Sequence, residues 1–105
     1  MNDSESSEEI LRAIGRTSMP FGMFGPAKYP PQGVPIYDLP LEYLAWFAVR
    51  TFPKGRLGYL MRVVYEAKAA GCDEIFDPLR RARGGRFRLR PVHPREYHFE
   101  DHEED

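Results

Sequence analysis

Apolar residues recur with a helical period at three places in this chain. Ile10, Leu11 and Ile14 give the stretch from about Ser7 to Ile14 one apolar edge, with Ser7 as the expected cap and Gly15 as the stop. From Pro40 to about Thr51, Leu41, Leu44, Ala45 and Ala48 make one stripe, and Tyr43, Trp46, Phe47 and Arg50 make another. A helix apolar on nearly every side is contacted from more than one direction. Asp38 and Pro40 mark its start, since proline is tolerated in a first turn. Leu57, Leu60, Met61, Val64 and Tyr65 fall at i, i+3, i+4, i+7 and i+8, which predicts a third helix from Gly55 or Arg56 to Ala70. Gly71 then ends it in a left-handed cap.

Elsewhere the pattern shortens. Met19–Phe24 reads as a first strand and Val34–Tyr37 as a second, joined by a loop containing Gly25, Pro26, Pro30, Pro31 and Gly33. Asp73 to Arg83 reads as a short helix interrupted by Pro78. Phe87 and Leu89 alternate with Arg86, Arg88 and Arg90, the period of a half-buried or edge strand. The predicted fold is therefore α+β: a small antiparallel β-hairpin packed on two or three helices in a single compact domain. Its expected core is Phe21, Ile36, Leu39, Leu41, Leu44, Trp46, Leu57, Leu60, Met61 and Val64. The chain divides into an acidic N-terminus with a short helix (1–15), the α+β module (16–72), an arginine-rich extension with a strand (73–95) and an acidic tail (96–105).

Charge changes this picture. The 105 residues carry a formal net charge of −1, yet all fifteen Lys and Arg lie between Arg12 and Arg95 against six acids, a local net of +9. A basic body between two acidic ends suits a polyanion partner. One cysteine, Cys72, excludes a disulfide framework and a cysteine-rich zinc site, and fits a reducing cytoplasm. Cys72 follows a helix end, so no helix dipole activates it, and it is expected to be a small buried or half-buried residue. The first residues lack a basic start and an apolar run, so no secretory signal is expected, and no apolar run approaches the ~20 residues that span a bilayer. The expected location is the cytoplasm.

The order Met19-Pro20-Phe21-Gly22, then Asp38-Leu39-Pro40-Leu41-Glu42-Tyr43-Leu44 with Trp46-Phe47, then Phe52-Pro53-Lys54-Gly55-Arg56-Leu57-Gly58, resembles a family of small bacterial proteins. Its members are labelled putative quorum-sensing-regulated virulence factors. The label states no reaction and no ligand. A looser relative of the module lies C-terminal to the nuclease domain of exodeoxyribonuclease X-like proteins, and that resemblance implies an association with nucleic acid. Those relatives carry Phe-Gly-Lys-x-Lys-Gly in the first strand. Here Met23 and Phe24 follow Phe21-Gly22, and Lys28 is the nearest replacement for the missing charge.

Two basic clusters carry the nucleic-acid reading. Arg80 to Arg95 holds seven arginines and no acid. On a strand with Phe87 and Leu89 inward, Arg86, Arg88 and Arg90 make a ladder with steps of about 6.5–7 Å. Arginine forks match phosphate oxygens. The bland reading is a solvated edge strand, or arginines paired with the acidic tail. The second cluster is Lys54, Arg56 and Arg62 at the start of a helix, where free N–H groups suit an anion; a plain connector is the alternative. With Lys28 and Arg83 these residues are the candidate nucleic-acid contacts. The competing function is a protein-interaction or regulatory module that presents Tyr29, Pro30 and Pro31 on the loop Ala27–Gln32, unless Tyr29 folds back on the strands. No catalytic set is expected, because every serine lies in the N-terminal stretch without a nearby histidine. His93, His98 and His102 sit among acids in a loose tail, so neither a metal site nor a cofactor is expected.

Overall fold

The computed structural model describes residues 5–89. Four α-helices build it: α1 Ser7–Gly15, α2 Leu41–Arg50, α3 Gly55–Ala69 and α4 Asp77–Ala82. Three 3-10 turns, Gly22–Phe24, Ile36–Asp38 and Asp73–Phe76, link them.

The expected α+β architecture is overturned. Among the described residues there is no β-strand, only an isolated antiparallel bridge between Ser18 and Pro35. Two backbone bonds flank it, Met19 N to Val34 O at 2.8 Å and Ile36 N to Thr17 O at 3.1 Å. The ladder goes no further because Val34 N, which would return a bond to Met19 O, donates to Phe24 O at 3.0 Å instead, and because Gly22, at φ +79°, turns the chain away. The segment at Phe87 and Leu89 is also irregular. The fold is helical, with a Pro/Gly-rich loop where a hairpin was expected.

The helices follow the sequence signals closely. Ser6, not Ser7, caps α1: its side chain accepts from Glu9 N, and Glu9 answers Ser6 N, a reciprocal capping box. Pro40 is the N-cap of α2. Gly71, at φ +78°, follows the end of α3, as expected. Pro78 does not interrupt a helix; it lies in the first turn of α4, where its missing N–H costs little.

The core joins α1, α2, α3 and the 3-10 turns. Ile36, Leu39, Leu44, Leu60, Met61 and Val64 are buried, as expected, and Trp46 and Leu57 are half-buried. Phe21 (44% exposed) and Leu41 (41% exposed) are not core. Their places are taken by Met19, Phe24, Tyr37, Tyr43 and Phe76, all nearly inaccessible. An aromatic chain runs through the interior from Phe87 to Tyr29, Phe24, Tyr43, Phe47, Phe52 and Tyr65, with ring centroids 4.7–6.1 Å apart. Cys72, by contrast, is exposed.

The connector between α2 and α3 turns so tightly that Gly58 sits against the backbone of Pro53. A Cβ on Gly58 would lie 1.6 Å from Pro53 O. Gly58→Ala should therefore destabilise, by about 1–3 kcal/mol as an overpacked site, where the same change in an open helix gains about 1 kcal/mol. Urea unfolding reads the sign directly.

Candidate functional site

The chemistry of Arg80 is set by its burial. Its side chain is 5% exposed, and a buried guanidinium needs an acceptor for each of its five N–H groups. It has them. Nε donates to Asp38 Oδ1 at 2.7 Å. Nη1 donates to Asp77 Oδ1 at 2.8 Å and to Asp73 O at 3.4 Å. Nη2 donates to Tyr37 O at 3.0 Å and Asp73 Oδ1 at 2.9 Å. The guanidinium also lies 5.9 Å from the centre of the Tyr37 ring.

The carboxylates reach further. Asp38 is 1% exposed at its side chain, and its Oδ2 accepts Phe87 N at 2.9 Å. Asp73 accepts from Lys68 Nζ at 2.6 Å and from Arg86 Nη2 at 3.3 Å. Arg83 Nη1 meets the Tyr37 hydroxyl at 3.3 Å and stacks over Phe87. Partial burial works to raise the Asp73 carboxyl, but hydrogen bonds from Arg80 and Lys68 outweigh it and hold the group well below the usual carboxylate range. Burial likewise works to lower Arg80, and its bonds to Asp73, Asp38 and Asp77 outweigh that and raise it. Beside this network lies a groove of about 350 Å³ between Leu39, Pro40 and Leu41 on one side and Phe87 and Leu89 on the other.

The arginine-rich segment is therefore not a free ladder. Arg80, Arg83 and Arg86 bond internally, and Arg88 is exposed; Arg90 and the acidic tail lie outside the described residues. The sequence held a signal for this: Asp73, Asp77 and Arg80 are spaced 4 and 3 apart, which stacks them on one side of a helical turn. Asp38 had no such local signal, because its partner is 42 residues away. Tyr29 is buried, stacked on Phe24 and edge-on to Phe87, so the loop presents Pro30 and Pro31 but not this ring. Lys28 is exposed.

The second basic cluster sits at the other end of α2. Lys54 is the exposed N-cap residue of α3. Arg56 pairs with Glu5 through two bonds, one of them Nη1 to Oε1 at 2.8 Å, and these hold the Glu5 carboxyl below its ordinary range. Arg62 lies 5.7 Å from the centre of the Phe52 ring. Arg50 lies 5.1 Å from that of Trp46; the sequence pattern marks it only as part of a helix stripe, with no sign of a place beside Arg62. Arg50 and Arg62 both line a cleft of about 210 Å³ with Thr51, Phe52, Tyr65 and Glu66. Laying a guanidinium on an aromatic face holds its plane and directs its N–H edges to acceptors. Among the described residues, no group of three or more His, Cys, Asp or Glu could hold a metal ion, and no helix is long and apolar enough to cross a membrane.

These features define a small helical protein with an internally neutralised acid–base network and a cationic cleft. The chain belongs to the family described as putative quorum-sensing-regulated virulence factor, whose model matches residues 7–79. It is 40% identical over 75 residues to the uncharacterized protein YpeB of Escherichia coli strain K12, covering 70% of this chain and 94% of that protein. YpeB of Escherichia coli O157:H7 matches to the same extent. No solved structure matches. The matched span runs from α1 into the first turn of α4 and includes all three aspartates that hold Arg80.

Two outcomes follow from the network. Arg80→Met removes the bonded cation of the buried Asp38 and leaves it only Arg86, at 3.7 Å, as an ionic partner; it should cost about 3–5 kcal/mol in urea unfolding, whereas Asp38→Leu combined with Arg80→Met should cost less than the two single changes summed. Because the folded Asp73 carboxyl lies below its ordinary 3.8, its contribution is complete above that value and is lost as pH falls through the folded value. Asp73→Asn should therefore flatten the acid side of the stability–pH profile below about pH 4. An unchanged acid limb would show that Asp73 does not carry it.

Proposed function

We propose that this protein is a non-catalytic module that binds nucleic acid through the phosphate backbone, at the α2–α3 junction. The observation that carries this reading is the cleft lined by Arg50 and Arg62, each laid over an aromatic ring, at the helix junction that also holds the exposed Lys54. The Arg62 guanidinium is a planar fork of the kind that matches phosphate oxygens. The partly exposed Phe52 and Tyr65 add ring surface on which an unpaired base can stack. The arginine-rich segment supports the reading less than its composition suggests, since Arg80, Arg83 and Arg86 already have acceptors; Arg88 is its exposed described member. The looser resemblance of its motifs to nuclease-linked modules points the same way.

The competing reading, a protein-binding module built on the loop Ala27–Gln32, keeps Pro30 and Pro31 as its contacts but loses Tyr29 to the core.

Fluorescence anisotropy with short single- and double-stranded DNA and RNA, at low and at physiological salt, tests the proposal. Binding should weaken steeply with salt, because each phosphate neutralised releases condensed counterions. Arg62→Ala and Lys54→Ala should each weaken it and reduce the salt slope, by about one unit for each phosphate that is no longer neutralised. No binding to any probe at low salt overturns the proposal.

A further inference from the structure

The groove beside the Arg80 network has hydrogen-bond donors left over. Its polar residues are Asp38, Lys68, Asp73 and Arg86. Every carboxylate oxygen among them is engaged. Asp38 accepts from Arg80 Nε on one oxygen and from Phe87 N on the other. Asp73 Oδ1 accepts from Lys68 and Arg80, and Oδ2 accepts from Arg86. The cations are not used up. An ammonium has three N–H groups and a guanidinium five. Lys68, with a side chain only 10% exposed, gives one hydrogen bond among the described residues, to Asp73. Arg86 likewise gives one, to Asp73, and its approach to Asp38, at 3.7 Å, is too long for a second. Both cations bond the same carboxylate, so they flank one point of the groove. Pro40 lines the groove too, and no side chain caps α2 there, so the start of that helix adds positive potential. An acceptor is what this end of the groove lacks, and donors nine-tenths withdrawn from water favour an anionic one.

The walls say what carries the acceptor. Leu39, Pro40 and Leu41 stand on one side and Phe87 and Leu89 on the other. Main-chain groups along them are already bonded: Leu39 N to Ile36 O, the Pro40 carbonyl to Leu44 N, and Phe87 N to Asp38. Pro40 has no N–H at all. An extended peptide needs such groups for pairing, whereas an alkyl chain needs only apolar walls. The volume of about 350 Å³ lies at the low end of the roughly 300–1,000 Å³ of small-molecule sites, which suits a short chain.

We infer that this groove binds a small carboxylate-headed amphiphile, with its carboxylate between Lys68 and Arg86 and its alkyl chain along Leu41, Phe87 and Leu89. The inference is independent of nucleic-acid binding. The groove lies at the start of α2, shares no residue with the cleft of Arg62, and is tested without nucleic acid.

The experiment is a two-dimensional ¹H–¹⁵N NMR titration of the full chain with three probes: octanoate, octanol with the chain but no charge, and acetate with the charge but no chain. Octanoate should shift the amides of Leu41, Phe87 and Leu89 saturably, with a dissociation constant of about 1 mM or below, as suits a ligand of this size. Octanol and acetate should each bind roughly tenfold more weakly or worse, the loss expected for a hydrogen bond to a charged group or for the buried chain. Lys68→Met and Arg86→Gln should each weaken octanoate and leave octanol unchanged, while Leu41→Ser should weaken both. Asp73 keeps Arg80 in either cation variant, and the Arg86 side chain is 58% exposed, so Arg86→Gln carries the test if Lys68→Met fails to fold. Absence of any saturable shift overturns the inference, as do shifts confined to Phe52 and Tyr65. Octanol binding as tightly as octanoate overturns the carboxylate head.

Discussion

The structure depends on one buried cation. A guanidinium withdrawn from water must find an acceptor for every N–H and a compensating charge, or the fold bears a penalty of several kcal/mol. Arg80 meets the requirement by drawing on the turn before α2, through Asp38 and the Tyr37 carbonyl, on the turn after α3, through Asp73, and on the start of its own helix, through Asp77. The same carboxylates then hold Lys68 at the end of α3, and Arg86 and the Phe87 amide in the segment after α4. Segments far apart in sequence are thus tied to one point. Such a network is weak evidence for high stability, since apolar replacement of a buried ion pair is often neutral. It does specify geometry, because few arrangements of the chain satisfy all five donors.

That constraint redistributes the positive charge. Composition suggests that the arginine-rich segment is the polyanion surface, but three of its arginines serve as internal pins. The cations of the proposed nucleic-acid site lie at the opposite end of α2, where the aromatic chain from Phe87 through the core surfaces at Phe52 and Tyr65 and supports Arg62. Helix α2 therefore has three different surroundings. One side is core, its C-terminal end borders the cationic cleft, and its outer face exposes Leu41, Ala48 and Val49.

The motifs that identify the family turn out to be largely architectural. In Phe52-Pro53-Lys54-Gly55-Arg56-Leu57-Gly58, Gly55 adopts φ +81° and Gly58 admits the Pro53 carbonyl, so the run encodes a tight return between helices. In Asp38-Leu39-Pro40, the aspartate accepts from Arg80 and from Phe87 N, and does not cap α2. Arg50, Lys54, Arg56 and Arg62 combine a place near these motifs with surface exposure, and Arg56 is engaged by Glu5.

Helix positions, the Gly71 stop and much of the core were legible in the sequence, because helical periodicity and capping are local signals carried by neighbouring residues. The proline-rich stretch from Met19 to Tyr37 misled, since its aromatic density resembles strand while its chain turns at Gly22 and Val34 N bonds Phe24 O instead of extending a ladder. Asp73, Asp77 and Arg80 were readable as a local acid–base group, yet their burial was not. Which cations face outward was decided only in three dimensions, because the partners that engage Arg80 and Arg83 include groups more than forty residues away, in the turn containing Tyr37 and Asp38. Local sequence determines where helices begin and end; long-range pairing of buried charge determines which of this protein's arginines are left at the surface.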